Sequence, residues 1–246
     1  MRLAVFSDIH ANLEALQTIV NDAAGQSIHR YFCLGDIVGY GANPNQCIEL
    51  VRALPKLNCL LGNHDAAAIW RYSPYAMHKD ATRAVLWTID RLTEKNTAFL
   101  KSLPPTLPMG DMLFAHANPY NPEAYRYVIN NKYAQRSFRA TKEQLLFVSH
   151  SHRPMIITRK NYFQTDFFQP QGSMTCKLNR KKRQIINCGS VGQPRDLDPR
   201  ACYCILDTRH NSIEYRRLEY DYARTGQKIR EAGLSGYLAR RLVKGK

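Results

Sequence analysis

Five short polar segments, each placed directly after a short apolar run, constrain the fold of this chain more than any other feature of its sequence. In order along the chain they are Ser7-Asp8-Ile9-His10, Gly35-Asp36, Gly62-Asn63-His64-Asp65, Ala115-His116-Ala117 and Ser149-His150-Ser151-His152. Short apolar runs that are rich in β-branched or aromatic residues are typical of buried strands. In α/β proteins, functional side chains gather beyond the carboxyl ends of the strands. The pattern therefore predicts an α/β fold with these segments at one edge of its sheets.

Together the five segments carry side chains that can bind metal. The candidate ligands are Asp8, His10, Asp36, Asn63, His116, His150 and His152. Oxygen and nitrogen donors without thiolate suit Mn²⁺, Fe, Ni²⁺, Co²⁺ or Zn²⁺, and they argue against a structural zinc site or a calcium cage. In a strand, the side chains of residues i and i+2 point to the same side. The side chains of Asp8 and His10 are therefore expected on one side, and so are those of His150 and His152. His64 directly follows a candidate ligand and points away from it, which leaves its imidazole free to contact a substrate.

The apolar pattern predicts strands and helices that alternate in the first half of the chain. Candidate strands lie at 2–7, 31–34, 58–61, 112–116, 145–149, 155–160, 184–188, 201–206 and 213–218. Candidate helices lie at 12–24, 45–53 and 79–101, with two more in the C-terminal segment 222–246. Alternating units favour parallel strands with helices outside, and the strand-rich second half favours a second sheet packed on the first. We therefore expect one domain over 1–246, in which the basic segment 159–184 forms a hairpin.

The chain is strongly basic, with a formal net charge of +15 over 246 residues. Residues 176–246 contain 17 Lys or Arg against 7 Asp or Glu, so +10 of the charge lies in the last third. A basic surface attracts anionic molecules, such as a nucleotide, a nucleic acid or a phosphorylated small molecule. A solvated face is the alternative, because no nucleic-acid-binding motif accompanies the charge. Seven scattered cysteines and the lack of a membrane-length apolar run predict a cytoplasmic protein without membrane attachment; the oligomeric state is left open.

The order of the motifs resembles that of the calcineurin-like metallophosphoesterase superfamily, and in particular its small prokaryotic phosphodiesterase-type subgroup. The resemblance includes residues 8–16, 35–41 and 187–195 and covers almost the whole chain. It implies a four-layer αββα sandwich, made of two mixed β-sheets flanked by helices. It also implies two metal ions that share Asp36, one held by Asp8, His10, Asp36 and His152 and the other by Asp36, Asn63, His116 and His150. Ser149 and Ala117 stand where the family usually has glycine, and both are small.

The resemblance implies an enzyme that hydrolyses a phosphate ester, by attack of a hydroxide that bridges two divalent metal ions. Mn²⁺ is the first expectation for the metal, with Fe, Ni²⁺, Co²⁺ and Zn²⁺ as alternatives. The basic charge, the aromatic loops 66–80 and 118–133 and the subgroup together favour a phosphodiester substrate. His64 is expected to stabilise the transition state and protonate the leaving oxygen, with Asp65 orienting it. Arg195 is a candidate for binding the substrate phosphate, together with Asn63 and His64.

Three other functions remain open at this stage. The first is a phosphomonoesterase, since a monoester places the same group over the metals. The second is a protein Ser/Thr phosphatase or dinucleoside-tetraphosphate hydrolase, whose motif is Gly-Asp-x-Val-Asp-Arg-Gly; Gly39 and Tyr40 replace its second Asp and its Arg, which argues against this class. The third is a non-catalytic scaffold. A scaffold subunit of the superfamily lacks the residue equivalent to His64, whereas this chain retains it.

Overall fold

Two mixed six-stranded sheets form the centre of the molecule, whose computed structural model describes residues 1–246. The strands in chain order are β1 (Arg2–Phe6), β2 (Arg30–Cys33), β3 (Leu57–Cys59), β4 (Thr106–Met109), β5 (Met112–Ala115), β6 (Leu145–Val148), β7 (Met155–Arg159), β8 (Thr165–Phe168), β9 (Met174–Lys177), β10 (Gln184–Asn187), β11 (Ala201–Asp207) and β12 (Ser212–Leu218). The first sheet has the order β3-β2-β1-β11-β12-β9, and the second has the order β4-β5-β6-β10-β7-β8. Strands β1, β2 and β3 are parallel, as are β5, β6 and β10. The carboxyl ends of each parallel set therefore lie at one edge of its sheet.

Eight helices flank the sheets. In chain order they are α1 (Leu13–Ala24), α2 (Pro44–Arg52), α3 (Asn63–Ala68), α4 (Lys79–Ile89), α5 (Glu94–Ser102), α6 (Asn131–Ala140), α7 (Tyr222–Glu231) and α8 (Gly236–Leu242). The buried faces of α1 and α2 pack on the outer side of the first sheet. The last two helices lie in the segment where the sequence predicts a C-terminal helical pair.

The sequence of β1 shows how one strand serves two packed faces. Its residues alternate between the two sides, as expected of a pleated strand. Leu3 and Val5 pack into the apolar layer between the two sheets, with residues such as Phe114 and Phe147 of the second sheet. Ala4 and Phe6 instead join the cluster that contains α1 and α2. An uninterrupted apolar run therefore follows from burial on both sides of the strand.

Helix α6 is the fourth layer, and it covers the outer side of the second sheet. Its Ala134 and Phe138 pack against Leu146, Ile157 and Ile185. The helix begins after Asn130, whose side chain accepts a hydrogen bond from the backbone N–H of Tyr133 (3.2 Å), a typical N-cap. The order of layers is therefore helices, first sheet, second sheet, helix, which confirms the predicted four-layer αββα sandwich of two mixed sheets.

Two of the predicted elements are divided in the structure. The expected helix 79–101 is divided into α4 and α5, because the Thr93 hydroxyl accepts a hydrogen bond from the backbone N–H of Asn96 and starts a new helix. The expected hairpin 159–184 is also divided: β8 pairs with β7 in the second sheet, but β9 pairs with β12 in the first. The basic residues 180–183 lie in the turn between β9 and β10. Residues 169–173 connect β8 in the second sheet to β9 in the first sheet, so β8 and β9 do not pair with each other as a hairpin would require.

None of the eight helices combines the length and the apolar character that a membrane span requires.

Replacing Phe114 by alanine should lower the free energy of unfolding by about 3–5 kcal/mol, the usual cost of removing a buried aromatic ring. Phe114 is fully buried, and its ring centroid lies 4.1 Å from that of Phe32 and 4.9 Å from that of Phe147. Urea denaturation of the two proteins measures the difference. Phe163→Ala is the matched control: this ring is 72% exposed, so its removal should change stability by less than about 0.5 kcal/mol. Equal losses in the two variants would contradict the inter-sheet position of Phe114.

Candidate metal centre

All seven candidate ligands lie beyond the carboxyl ends of parallel strands. Asp8 and His10 follow β1, Asp36 follows β2, Asn63 follows β3, His116 follows β5, and His150 and His152 follow β6. Five of them have a positive φ, between 51° and 64°, namely Asp8, His10, Asp36, His150 and His152. These residues are therefore not extensions of the strands, and strand alternation is not what directs their side chains. Left-handed backbone is unfavourable for non-glycine residues and occurs preferentially at functional sites.

Two close backbone approaches fix the position of the Asp36 carboxylate. A side chain at Gly62 would overlap the backbone nitrogen and the carboxylate of Asp36, so only glycine fits there. The backbone N–H of His64 then donates a hydrogen bond of 2.8 Å to Asp36 Oδ1. This bond leaves Oδ2 as the free oxygen, and it is buried without a hydrogen-bond partner. One oxygen thus anchors Asp36, while the other points into the site.

The first donor cluster consists of Asp8, His10 and His152, with Asp36 beside it. The Nε2 atoms of His10 and His152 are 3.2 Å apart, and His152 Nε2 lies 3.4 Å from Asp8 Oδ1. His10 Nε2 lies 3.7 Å from Asp36 Oδ2. Donors bound to one ion at about 2.0–2.2 Å are separated by about 3.0–3.5 Å in octahedral or tetrahedral arrangements. The cluster therefore has the spacing of a metal site.

The second cluster consists of Asp36, His116, His150 and Asn63. His116 Nε2 is 3.4 Å from Asp36 Oδ2, 3.2 Å from His150 Nδ1 and 3.2 Å from Asn63 Oδ1. Asp36 Oδ2 thus lies next to both clusters, in the position of a bridging ligand. The nitrogen of His64 also lies within 4.8 Å of the His10 and Asp36 donors, so distance alone does not separate this imidazole from the ligands.

The hydrogen bonds of the imidazoles provide a test of whether these residues fit a cation. The Nδ1 atoms of His10, His116 and His152 face the backbone oxygens of Val38 (3.2 Å), Leu34 (2.9 Å) and Gln193 (2.6 Å). A neutral ring that donates from Nδ1 has a lone pair on Nε2. The lone pairs of His10 and His152 then face each other, next to Asp8 Oδ1, which is buried and has no hydrogen-bond partner. Such a group of acceptors is stabilised by a cation, so the residues fit a divalent metal ion.

Most of the imidazoles are held in the neutral form that a metal ligand needs. Burial lowers the pKa of His10 and of His152 well below the usual value, and it lowers the pKa of His150 to about 3. His116 differs: burial lowers its pKa, but the facing Asp36 carboxylate outweighs this effect and raises it to about 9. Burial raises the pKa of Asp8 to about 6. Without a cation, His116 therefore carries a proton, and its positive charge compensates the Asp36 carboxylate in the second cluster.

Ser149 and Asn187 support the candidate ligands, a role that the sequence motifs do not indicate for them. The Ser149 hydroxyl donates a hydrogen bond to Asp8 Oδ2, and so directs Asp8 Oδ1 into the cluster. The Asn187 amide donates to the backbone oxygen of Ser149 (2.9 Å) and to the hydroxyl of Ser151 (3.0 Å), which stabilises the turn that carries His150. A serine in place of the glycine that the family usually has was the available signal, since a hydroxyl can orient a carboxylate.

Asp65 does not orient His64, and that expectation is wrong. Its carboxylate instead accepts hydrogen bonds from the backbone N–H groups of Ile37 (2.9 Å), Val38 (3.1 Å) and Gly62 (3.2 Å). It therefore ties the loop after β2 to the start of α3. The side chains of adjacent helix residues point in different directions, so the Asp65 carboxylate does not contact the imidazole of its neighbour His64. The Nδ1 atom of His64 is buried without a hydrogen-bond partner.

The surroundings of His64 explain two unusual residues of the 35–41 segment. A side chain at Gly39 would overlap His64 Nδ1, so an acidic residue at position 39 does not fit beside the imidazole in this position. The Tyr40 ring packs against His64 and His10, with centroid distances of 4.5 Å and 4.7 Å. Tyr40 thus forms an aromatic wall where the phosphatase motif has an arginine.

Arg195 lies at the same cleft, which has a volume of about 280 Å³. The residues that line the cleft include Asp36, Asn63, His64, His78, Ala124, His150, His152, Arg195 and four tyrosines, Tyr40, Tyr72, Tyr125 and Tyr127. Arg195 donates a hydrogen bond to the Gln193 side chain (2.9 Å), while its buried Nε has no partner. The Tyr127 ring stacks on His150 at 4.3 Å, and 42% of its surface is exposed. The structure thus brings every candidate site residue together; their roles as ligands, catalyst or substrate contact stay predictions.

Comparison with known families agrees with this arrangement. The sequence profile of the calcineurin-like phosphoesterase superfamily domain matches residues 1–211. This range contains all the candidate ligands, His64 and Arg195. The chain therefore belongs to the calcineurin-like phosphoesterase superfamily, whose members typically bind divalent metals.

Individual proteins are similar over the full length of the chain. The uncharacterized protein MJ0912 of Methanocaldococcus jannaschii is 40% identical over 250 residues, which is 99% of this chain and 98% of that protein. The crystal structure of a metallophosphoesterase from Sphaerobacter thermophilus is 38% identical and has a TM-score of 0.89, with coverage of 100% of this chain and 99% of that chain. The hypothetical protein PH1004 from Pyrococcus horikoshii has a TM-score of 0.81 at 18% identity, covering 100% and 98% of the two chains. The last similarity shows the shared fold alone.

Metal binding should release about one proton at pH 7, because a ligand imidazole must be neutral. The metal-free protein holds a proton on His116, whose pKa is about 9, and the incoming cation displaces it. Metal affinity should therefore increase from pH 7 to pH 9. Below pH 6 the dependence should be steeper, since Asp8, with a pKa of about 6, is then protonated as well. Isothermal titration calorimetry of Mn²⁺ binding in two buffers with different ionisation enthalpies measures the release. Equal heats in both buffers would contradict the prediction.

Proposed function

We propose that this protein is a phosphodiesterase that uses two divalent metal ions, with Mn²⁺ as the preferred metal. The observation that supports this most strongly is the pair of donor clusters that share Oδ2 of Asp36. When bound, two such ions supply an activated water and neutralise the charge that develops on the phosphoryl oxygens. The remaining steps depend on side chains of this chain that line the cleft.

Asn63 and His64 are the residues that we assign to the reacting phosphate. Both begin α3, so the positive end of that helix is directed towards the cleft. Burial lowers the pKa of His64 to about 4, and a neutral imidazole retains one N–H group. We assign this group to a hydrogen bond with the leaving oxygen, which would stabilise the transition state and assist proton transfer.

The lining of the cleft favours a diester over a monoester. Besides the ligand region, the cleft offers one guanidinium, that of Arg195, together with the rings of Tyr72, Tyr125 and Tyr127. A phosphodiester has one negative charge and two organic groups, whereas a monoester has a second charge and one organic group. One cation with aromatic walls therefore matches a diester better. An aryl or nucleoside group on the phosphate would contact these rings.

The other functions have less support. A Ser/Thr phosphatase or tetraphosphatase of the motif discussed above uses a carboxylate at position 39 and a guanidinium at position 40, and Gly39 lies against His64 instead. A scaffold has no use for a buried, unpartnered His64 Nδ1 beside two donor clusters. The seven cysteines are all free, which supports a further part of the proposal, that the enzyme works in the reducing cytoplasm.

With Mn²⁺ the protein should hydrolyse bis-p-nitrophenyl phosphate faster than p-nitrophenyl phosphate. Replacing His64 by alanine should lower kcat for the diester by about 10²–10³-fold, the usual cost of removing one hydrogen-bond donor to the charge that develops in the transition state. Metal content, measured by inductively coupled plasma mass spectrometry, should stay at two ions per chain. His210→Ala is the control, because this imidazole is exposed and bonds only to Asp207. A stronger preference for the monoester would refute the diester assignment, and undiminished turnover in His64→Ala would remove His64 from the reaction.

Replacing Arg195 by glutamine should lower kcat/KM for the diester by about tenfold or more, because a charged hydrogen-bond donor to the phosphate is lost. Arg195→Lys keeps the charge and should recover part of this loss. Arg83→Gln, an exposed arginine of α4, is the control for the loss of one positive charge. Steady-state kinetics of the four proteins provide the test. If Arg195→Gln and Arg83→Gln behave alike, Arg195 does not contact the substrate.

A further inference from the structure

The segment 126–163 concentrates positive charge next to the cleft. It contains eight Lys or Arg against one Glu, a stronger local imbalance than in the C-terminal third. Helix α6 has no acidic residue, and its Lys132, Arg136 and Arg139 are exposed at the spacing i, i+4, i+7. This spacing places the three cations on one side of the helix. The opposite side carries Ala134 and Phe138, which pack on the second sheet.

Three arginines on or beside α6 are not neutralised by a carboxylate of the protein. No carboxylate oxygen lies within 4.0 Å of the charged nitrogens of Arg126, Arg136 or Arg139. Other cations are paired: Lys160 of the same segment contacts Asp166 (2.7 Å), and in the C-terminal third Arg216 pairs with Asp22 (2.6 Å) and Arg200 with Asp198 (2.7 Å). Uncompensated guanidinium groups attract an external polyanion, whereas paired ones have little charge left to offer.

A groove runs between α6 and the loop 119–126, and we define this α6 groove by Tyr120, Arg126, Tyr133, Arg136 and Arg139. One cavity of about 430 Å³ is lined by the first four of these residues, with Asn121 and Ala124. A second cavity, of about 450 Å³, is lined by Pro119, Arg139 and Lys142 among others. Pro119 is the chain neighbour of Tyr120, and Arg139 follows Arg136 by three residues, so the two cavities continue along the same side of α6.

Aromatic rings accompany the cations of the groove. The Arg136 guanidinium lies 4.7 Å from the centroid of the Tyr120 ring, and the Arg139 guanidinium lies 4.6 Å from that of Tyr162. The Tyr162 and Phe163 side chains are 55% and 72% exposed. The Tyr120 hydroxyl is buried without a hydrogen-bond partner. Stacked rings and guanidinium planes bind unpaired bases, while free guanidinium groups bind phosphates.

The α6 groove leads to the metal centre. Ala124 lines both the 430 Å³ cavity of the groove and the 280 Å³ cleft that contains the candidate ligands. Its neighbours Tyr125 and Tyr127 also line the cleft. A chain molecule that occupies the groove can therefore place one of its phosphates in the cleft without leaving the protein surface.

We propose that the α6 groove binds single-stranded nucleic acid and presents one phosphodiester of the strand to the metal centre. That the strand presents a phosphodiester to the metal centre rests on the proposed phosphodiesterase function. That the groove binds the strand is supported independently, by the charges and rings of α6 and its neighbours. A single strand is favoured over a duplex because its bases are free to stack on Tyr120, Tyr133 and Tyr162.

Fluorescence anisotropy with 5′-labelled oligo(U) and oligo(dT) 12-mers and the full-length, Mn²⁺-loaded protein tests the groove. Affinity should fall as salt increases, because phosphate contacts release counterions. The double variant R136Q/R139Q should bind at least about tenfold more weakly at 50 mM salt, and its salt slope should decrease by about 1.4, at about 0.7 for each lost contact to a single strand. A denaturing gel after each titration shows whether the labelled strand is still intact.

K95Q/K101Q is the matched control, because it removes two exposed cations from α5, away from the groove. This variant should bind the 12-mers as the wild type does. A 12-base-pair duplex and linear polyphosphate should bind more weakly than either 12-mer. Equal losses in the two double variants, or polyphosphate that competes as well as the 12-mers, would overturn the proposal. Tighter binding of oligo(U) than of oligo(dT), or the reverse, would support the groove and identify the strand as RNA or DNA.

Hydrolysis of bis-p-nitrophenyl phosphate separates this inference from the proposed function. A protein that hydrolyses the small diester but does not bind the 12-mers retains the phosphodiesterase assignment and loses the groove. A protein that binds the 12-mers through Arg136 and Arg139 but hydrolyses no ester retains the groove as a binding site and loses the reaction.

Discussion

The mutual repulsion of electron pairs among Asp8, His10 and His152, next to Asp36, is the constraint on which the rest of the structure depends. Buried acceptors of His10 and His152 converge on one oxygen of Asp8 and one of Asp36, and neither oxygen has a hydrogen-bond partner. In addition, five candidate ligands have left-handed backbone, at a cost of about 1–2 kcal/mol each. Their sum is comparable with the net stability of a typical domain, about 5–15 kcal/mol. The scaffold must therefore impose the cluster, and bound cations would then offset the repulsion.

Hydrogen bonds between the loops that follow different strands hold the donor cluster in place. The backbone N–H of Asp8 donates to Gly35 (3.1 Å) and that of His10 donates to Asp36 (3.0 Å), so the loop after β1 is held against the loop after β2. Asp65 connects that second loop to α3 through the backbone N–H groups of Ile37 and Val38. The parallel strands bring these loops to one edge, and the two sheets bring the β5 and β6 loops opposite them. The site is thus a property of both sheets together, and neither sheet contains all the ligands.

The sequence predicts most of the strands and the positions of the candidate ligands well, because buried strands and the polar residues that follow them leave a strong local pattern. Nine strands and all seven candidate ligands were assigned to the regions where they lie. Helix α6 was missed since its buried side includes Gln135 and Ser137 besides Ala134 and Phe138, which blurs the apolar period. Strands β8 and β9 are mostly exposed, so burial did not mark them. The partners of Asp65 depend on contacts 27 and 28 residues away, which no local pattern encodes.

Net charge alone does not locate a binding surface in this protein, because paired and unpaired cations occur in the same segments. The C-terminal third carries most of the formal charge; Arg200 and Arg216 have carboxylate partners there, and Arg217 pairs with Asp196 in a buried position. Arg216 thereby connects β12 to α1, while Arg200 and Arg217 contact carboxylates of the loop that precedes β11. The arginines beside α6 have no such partner, and they adjoin the cleft in which Arg195 is the single cation outside the metal ligands. A small diester would use that arginine alone, whereas a strand would also use the charges of the α6 groove. Under the proposed function, the unpaired charge beside α6 would therefore favour a long substrate over a short one.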